Sequence, residues 1–175
     1  MRTRVCIIGG GPSGLMLSQL LHLDGIDTIL IERQSRDYVL SRIRAGVLEH
    51  GFTELMRKAR CGERMDREGE IHEGFYIAHD GALNRIDLHK HSGGQSVMIY
   101  GQTEVTRDLY EARDRMGGKV IHGVEDVALH DLEGSPHVTF RLGGAEERID
   151  CDFIIGADGF HGPSRRAIPA EMLKE

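Results

Sequence analysis

Gly9, Gly11 and Gly14 stand at G-x-G-x-x-G spacing, and a carboxylate, Glu32, follows Gly14 with seventeen residues between them. That pattern has the chemistry to grip an adenosine diphosphate: free backbone N–H groups for the pyrophosphate and an acid for the ribose hydroxyls. Gly9 suits a tight turn, Gly11 lets the main chain come close to the pyrophosphate, and Gly14 lets helix and strand pack closely. A carboxylate in the ribose pocket repels a 2′-phosphate, so the expected occupant is a dinucleotide such as FAD or NAD. Alone the triplet is a weak signal, because a chain with 23 glycines has many turns that bind nothing.

The flanking segments strengthen it. Val5-Cys6-Ile7-Ile8 is a continuous apolar run, the pattern of a strand buried on both faces of a parallel sheet. Leu15 to Leu23 reads as a helix stopped by Asp24-Gly25, and Ile26 to Ile31 as a second strand ending at Glu32. Strand, glycine turn, helix, strand and acid fall in the order of a Rossmann-like βαβ unit, with the helix N-terminus facing the anion.

Farther on, Arg42 and Arg44 precede a predicted amphipathic helix from about Val47 to Lys58 and could clamp one diphosphate; a solvated basic loop is the commoner fate of R-x-R. His72 to Leu88 reads as an inserted antiparallel hairpin turning at Asp80-Gly81, and Ser96 to Tyr100 as a further strand. Gln102 to Met116 reads as a helix and Lys119 to His122 as a buried-type strand. The segments 124–132, 138–142 and 146–151 alternate as an antiparallel meander. Asp152 to Gly156 is a strand entering the turn Asp158-Gly159, where Asp158 could take a hydroxyl or simply cap the backbone, while Arg165 could meet a phosphate. His89 and His91 are expected on one strand face, with no third ligand at suitable spacing and hence no metal site.

Composition bounds the rest. The 175 residues suit about one domain, 29% are charged, and the net charge of −6 argues against a general nucleic-acid or anionic-membrane binder. No apolar run nears the roughly 18 residues of a membrane span, and the first apolar stretch is too short for a signal-peptide core. Three scattered cysteines, Cys6, Cys61 and Cys151, suggest neither a disulfide framework nor a thiolate metal site, and favour the cytoplasm.

The glycine fingerprint with Glu32, the string Arg42-Ile43-Arg44-Ala45-Gly46-Val47, the stretch from Tyr100 to Leu109 (YGQTEVTRDL), and Asp158-Gly159-Phe160-His161-Gly162 together resemble the class A flavoprotein aromatic hydroxylases over the whole chain. The resemblance implies an α/β fold: a Rossmann-like FAD-binding βαβ with a parallel sheet plus inserted antiparallel hairpin and meander strands. It implies that Ser13, Glu32, Arg42, Arg44, Ala45, Gly46, Val47 and Gln102 contact FAD. Arg33, Gln34 and Tyr38 would select NADPH; Asp158, His161 and Arg165 would serve both flavin and NADPH. His72 would sit at the outer end of a proton network that ionises a phenolic substrate. The implied reaction uses NADPH and O2 to hydroxylate a small aromatic ring, 4-hydroxybenzoate to 3,4-dihydroxybenzoate, in a homodimeric parent enzyme. Family chains are more than twice as long, so residues 1–175 are expected to form the FAD-binding N-terminal portion, without the substrate domain and inactive alone. A nicotinamide-dependent dehydrogenase and a non-catalytic nucleotide-binding module are the competing readings.

Overall fold

The computed structural model describes residues 1–42 and 44–173. Ile43 of the Arg42–Val47 string, and Lys174 and Glu175 at the chain end, lie outside the described residues. In chain order the strands are β1 Val5–Ile8, β2 Thr28–Glu32, β3 Val47–Leu48, β4 Glu70–His72, β5 Gly74–His79, β6 Ala82–Asp87, β7 Val97–Ile99, β8 Lys119–His122, β9 Glu125–His130, β10 His137–Leu142, β11 Ala145–Asp150 and β12 Phe153–Gly156. The helices are α1 Pro12–Leu23, α2 Arg36–Ser41, α3 His50–Lys58, α4 Glu63–Glu68, α5 Leu88–His91, α6 Gln102–Arg115 and α7 Pro163–Arg166. They divide into two compact units, Met1–Arg42 with Leu109–Glu175, and Ile43–Asp108.

In the first unit a parallel sheet has the order β12-β1-β2-β8. Every residue of β1 is buried, as its unbroken apolar run predicts for an interior parallel strand. Cys6, Ile8, Ile29 and Ile31 meet Val138, Phe140 and Ile149 of the antiparallel meander β11-β10-β9, forming one apolar core. Lys119 to His122, expected as a buried-type strand, is half-buried because β8 closes one sheet edge. Phe153 is exposed at the opposite edge, on β12.

The second unit holds the small sheet β3-β7-β4 and the hairpin β5-β6, whose turn falls at Asp80-Gly81 as expected. Two expectations are corrected here. The helix predicted from Val47 starts only at His50, because Val47 and Leu48 pair with Ile99 and Met98 as a short antiparallel strand. His89 and His91 lie on a helical turn rather than a strand: the Asp87 carboxylate accepts the Lys90 N–H at 2.9 Å and caps it. The helix α4 was not anticipated from the sequence.

An ion network organises this unit. Arg64 on α4 donates through Nε to Asp108 at 2.7 Å and pairs with Glu104, and Tyr100 Oη donates to Asp108 at 2.7 Å. The hydrogen bond from Arg64 holds the Glu104 carboxyl below its ordinary value, despite partial burial. A depressed folded-state pKa stabilises the fold above the unfolded-state value, and that contribution disappears as pH falls through the folded-state pKa. Melting midpoints should therefore drop on acidification below pH 4.5, the ordinary value for this group. In Arg64→Met this part of the pH dependence should flatten; an unchanged profile in the variant would show that the pair does not couple to folding.

Candidate functional site

In the first unit the glycine bend lies between the C-terminal end of β1 and the first turn of α1. Gly9 has φ +115°, a conformation that L side chains rarely adopt, and an added Cβ would drive into the Ala157 carbonyl at the end of β12. A Cβ on Gly14 would collide with the Gly9 carbonyl oxygen, so helix and loop are in direct backbone contact. Gly11 differs: its φ of −75° is ordinary, and nothing lies within 4 Å of where its Cβ would be. Two of the three glycines thus serve internal packing, while the third presents bare main chain to open space.

Glu32 ends β2 with its carboxylate turned toward this bend. Oε2 accepts the Gly10 N–H at 2.7 Å and Oε1 accepts the Gln34 N–H at 2.8 Å. A carboxylate has about four acceptor positions, so two backbone bonds leave capacity for two further hydroxyl donors. At α1, Gly11 is the N-cap without a side-chain cap bond, Pro12 opens the helix, and its first turn contains no acidic residue. Its leading N–H groups and positive dipole end remain suited to a bound anion.

Asp158 follows β12. Its Oδ2 accepts the Ser164 N–H at 2.9 Å and the carboxylate packs on Gly162, where any Cβ would overlap it. The backbone-capping role weighed from the sequence is therefore realised at this residue. Arg165 lies over the Phe160 ring at 4.5 Å, and His161 meets the same ring edge-on at 5.1 Å. Arg42 sits against Tyr38, its guanidinium 5.8 Å from the ring centre. Ser13, Arg33 and Tyr38 are exposed, and Gln34 is half-buried.

In the second unit Gly46 and Gly101 pack main chain to main chain: a Cβ on Gly46 would fall 2.7 Å from Gly101 Cα, and Gly46 O accepts Tyr100 N–H at 2.7 Å. That contact requires glycine at position 46, whereas a Cβ on Gly101 would meet only Glu104 Cγ at 3.9 Å, and it brings the segment Arg44, Ala45, Gly46 and Val47 beside Gln102 at the start of α6. His72 ends β4, exposed, with Nε2 3.7 Å from Glu70. It borders an open hollow lined also by Ile71, Glu73, Tyr76 and Arg85.

The sequence reading passed over several residues of the bend. At Gly10, between the motif glycines, an added Cβ would fall 2.8 Å from Glu32 Cβ and 3.1 Å from Tyr110 Oη. Tyr110 and His122 lie against the same turn. The run of three glycines was the only available signal for Gly10; Tyr110 and His122 come from distant segments and carried none.

The profile of the family described as FAD binding domain matches residues 2–175. The chain belongs to that family. Over 174 residues, 99% of its length, this FAD binding domain is 43% identical to p-hydroxybenzoate hydroxylase of Acinetobacter baylyi and covers 43% of that enzyme. It is 26% identical over 173 residues to 3-(3-hydroxy-phenyl)propionate/3-hydroxycinnamic acid hydroxylase 2 of Burkholderia vietnamiensis, covering 31% of it. The chain therefore spans less than half the length of these curated relatives. The crystal structure of P. aeruginosa PqsL, solved with 2-aminobenzoylacetate, matches 95% of the chain and 46% of its own at TM-score 0.82 and 20% identity, a likeness of fold. The mixed α/β architecture expected from the βαβ motif is thus the fold of this domain. Bare main chain at Gly11, an uncapped helix start and an acid held at the bend suit the adenosine diphosphate portion of FAD. Among the described residues no cluster of three or more His, Cys, Asp or Glu could hold a metal ion. No described helix is long and apolar enough to cross a membrane.

Proposed function

We propose that residues 1–175 form the FAD-binding portion of an NADPH-dependent aromatic monooxygenase that converts 4-hydroxybenzoate to 3,4-dihydroxybenzoate. One observation carries the FAD reading: the Glu32 carboxylate faces the glycine bend, 2.7 Å from the Gly10 nitrogen, beside the open main chain of Gly11. The choice of ring rests on the 43% identity to the Acinetobacter hydroxylase. The α1 N-terminus, with Gly9, Gly11, Ser13 and Gly14, receives the pyrophosphate, and Glu32 accepts the adenosine ribose hydroxyls.

Arg42 and Arg44 offset diphosphate charge, and Ala45, Gly46, Val47 and Gln102 present main chain and an amide to the flavin half. Asp158, His161 and Arg165 serve both flavin and NADPH, while Arg33, Gln34 and Tyr38 select NADPH, whose 2′-phosphate is excluded from the Glu32 pocket by like charge. His72 exchanges the proton that leaves the phenolic substrate. When bound, FAD would pass electrons from NADPH to O2, one oxygen atom entering the ring and the other leaving as water. The protein's part is binding, orientation and proton control. The parent enzyme is a cytoplasmic homodimer, and its remaining length supplies the substrate pocket.

Titrating the 175-residue chain with FAD, followed by flavin fluorescence, tests the core of this reading. Saturable binding is expected, weakened about tenfold or more in Glu32→Gln, where an amide N–H2 replaces one acceptor of the two backbone donors. Absence of saturable binding, or tighter binding of NAD than of FAD, would overturn the flavin assignment.

A further inference from the structure

Glu32 does not hold its position alone. Gly10 gives its N–H to Glu32 Oε2, while its carbonyl accepts Tyr110 Oη at 3.1 Å. Gln34 gives its N–H to Glu32 Oε1, while its carbonyl is 3.0 Å from His122 Nδ1. A carbonyl can only accept, so Nδ1 carries the proton and the tautomer is set. The rings of Tyr110 and His122 meet at 5.5 Å, which closes the circuit Gly10, Glu32, Gln34, His122, Tyr110. Arg36 lies 4.7 Å over the Tyr110 ring and is itself fixed by Asp114 at 2.6 Å. Tyr110 is 1% exposed, so its hydroxyl has no solvent to exchange for the Gly10 carbonyl. Burial, then the neighbouring Glu32 charge, raises its phenol well above the ordinary value, and it remains a donor across the working pH range.

We propose that Tyr110 and His122 are positioning residues that aim the Glu32 carboxylate, so that selectivity for a ribose over a deoxyribose nucleotide depends on two aromatic side chains acting through Gly10 and Gln34. The inference rests on the reading of Glu32 as the ribose acceptor. Each aromatic donor fixes the peptide group on the far side of a residue whose N–H fixes one carboxylate oxygen. Loss of either donor lets that peptide rotate and blurs the direction of the remaining acceptor positions, which costs affinity for the hydroxyl that needs them. The Gly10–Gly11 peptide that Tyr110 holds also carries the Gly11 N–H of the phosphate-facing turn, whereas the Gln34–Ser35 peptide held by His122 does not, so the variants are read by their ADP preference rather than by total affinity.

Calorimetric titration with ADP and with 2′-deoxy-ADP separates the two contributions. The wild-type chain should prefer ADP by about tenfold, the effect of one hydrogen bond to a charged acceptor. Tyr110→Phe, which keeps the ring against His122, should reduce the preference to about twofold. His122→Phe, which keeps an aromatic ring but removes the Nδ1 donor, should do the same and serves if the first variant fails to fold. A role confined to stability would lower the melting midpoint and leave the ADP preference intact; a preference retained in the variants overturns this proposal alone. A wild-type chain that binds neither nucleotide, or binds both equally, overturns the ribose reading of Glu32 and this proposal with it.

Discussion

Gly14→Ala should destabilise the chain by about 3 kcal/mol, the upper end for forcing one extra methyl into a packed site, and abolish measurable FAD binding. The methyl would be aimed at the Gly9 carbonyl oxygen, with Gly9 C at 3.2 Å and Ile7 Cγ2 at 3.3 Å behind it. A backbone oxygen cannot swing aside as a side-chain tip can. Gly9 is itself wedged against Ala157, so displacement of the loop would spread to β12. A loss of this size lowers the melting midpoint by roughly 6–12 °C for a chain of this length. Gly11→Ala supplies the contrast, because its Cβ meets nothing within 4 Å and its backbone is already in an alanine-compatible region. That variant should melt like the wild type yet bind FAD at least about tenfold more weakly, since the methyl occupies the approach to the pyrophosphate. Equal melting of Gly14→Ala and wild type would refute the close helix–loop contact.

Asp108→Ala should be the second large effect, destabilising by about 3 kcal/mol in urea unfolding. Asp108 is 7% exposed and accepts Arg64 Nε and Tyr100 Oη, each at 2.7 Å. Its removal strands a partly buried guanidinium and a buried phenol at once. Arg64 retains Glu104 and some solvent, which places the loss at the lower end for a broken buried pair rather than the upper. Asp108→Asn keeps the shape and one acceptor and should lose roughly half as much. A midpoint unchanged in Asp108→Ala would mean that this network contributes nothing to the fold.

How much of this was readable from the chain depends on sequence distance. The bend from β1 to α1 and the acid ending β2 obey local rules: an apolar run, glycines where a Cβ would collide, and a short crossover returning a parallel strand. The hairpin at Asp80-Gly81 was legible for the same reason, since Asp80 and Gly81 both adopt positive φ. Val47 and Leu48 misled because their apolar spacing also fits a helix, and only the partner strand Val97–Ile99 draws them into a sheet. His89 and His91 misled because one capping carboxylate, Asp87, turned an apparent strand into a helical turn.

By itself the sequence determined the βαβ unit, its glycine turn and the acid that ends β2, because each is specified within about one crossover length. The tertiary structure alone decided that β12 returns beside β1 to wall in Gly9, and that Arg64 finds Asp108. It alone placed Tyr110 and His122 behind Gly10 and Gln34. Those contacts join residues tens of positions apart, where no periodicity or spacing rule links the partners and only the packing of the folded chain can select them.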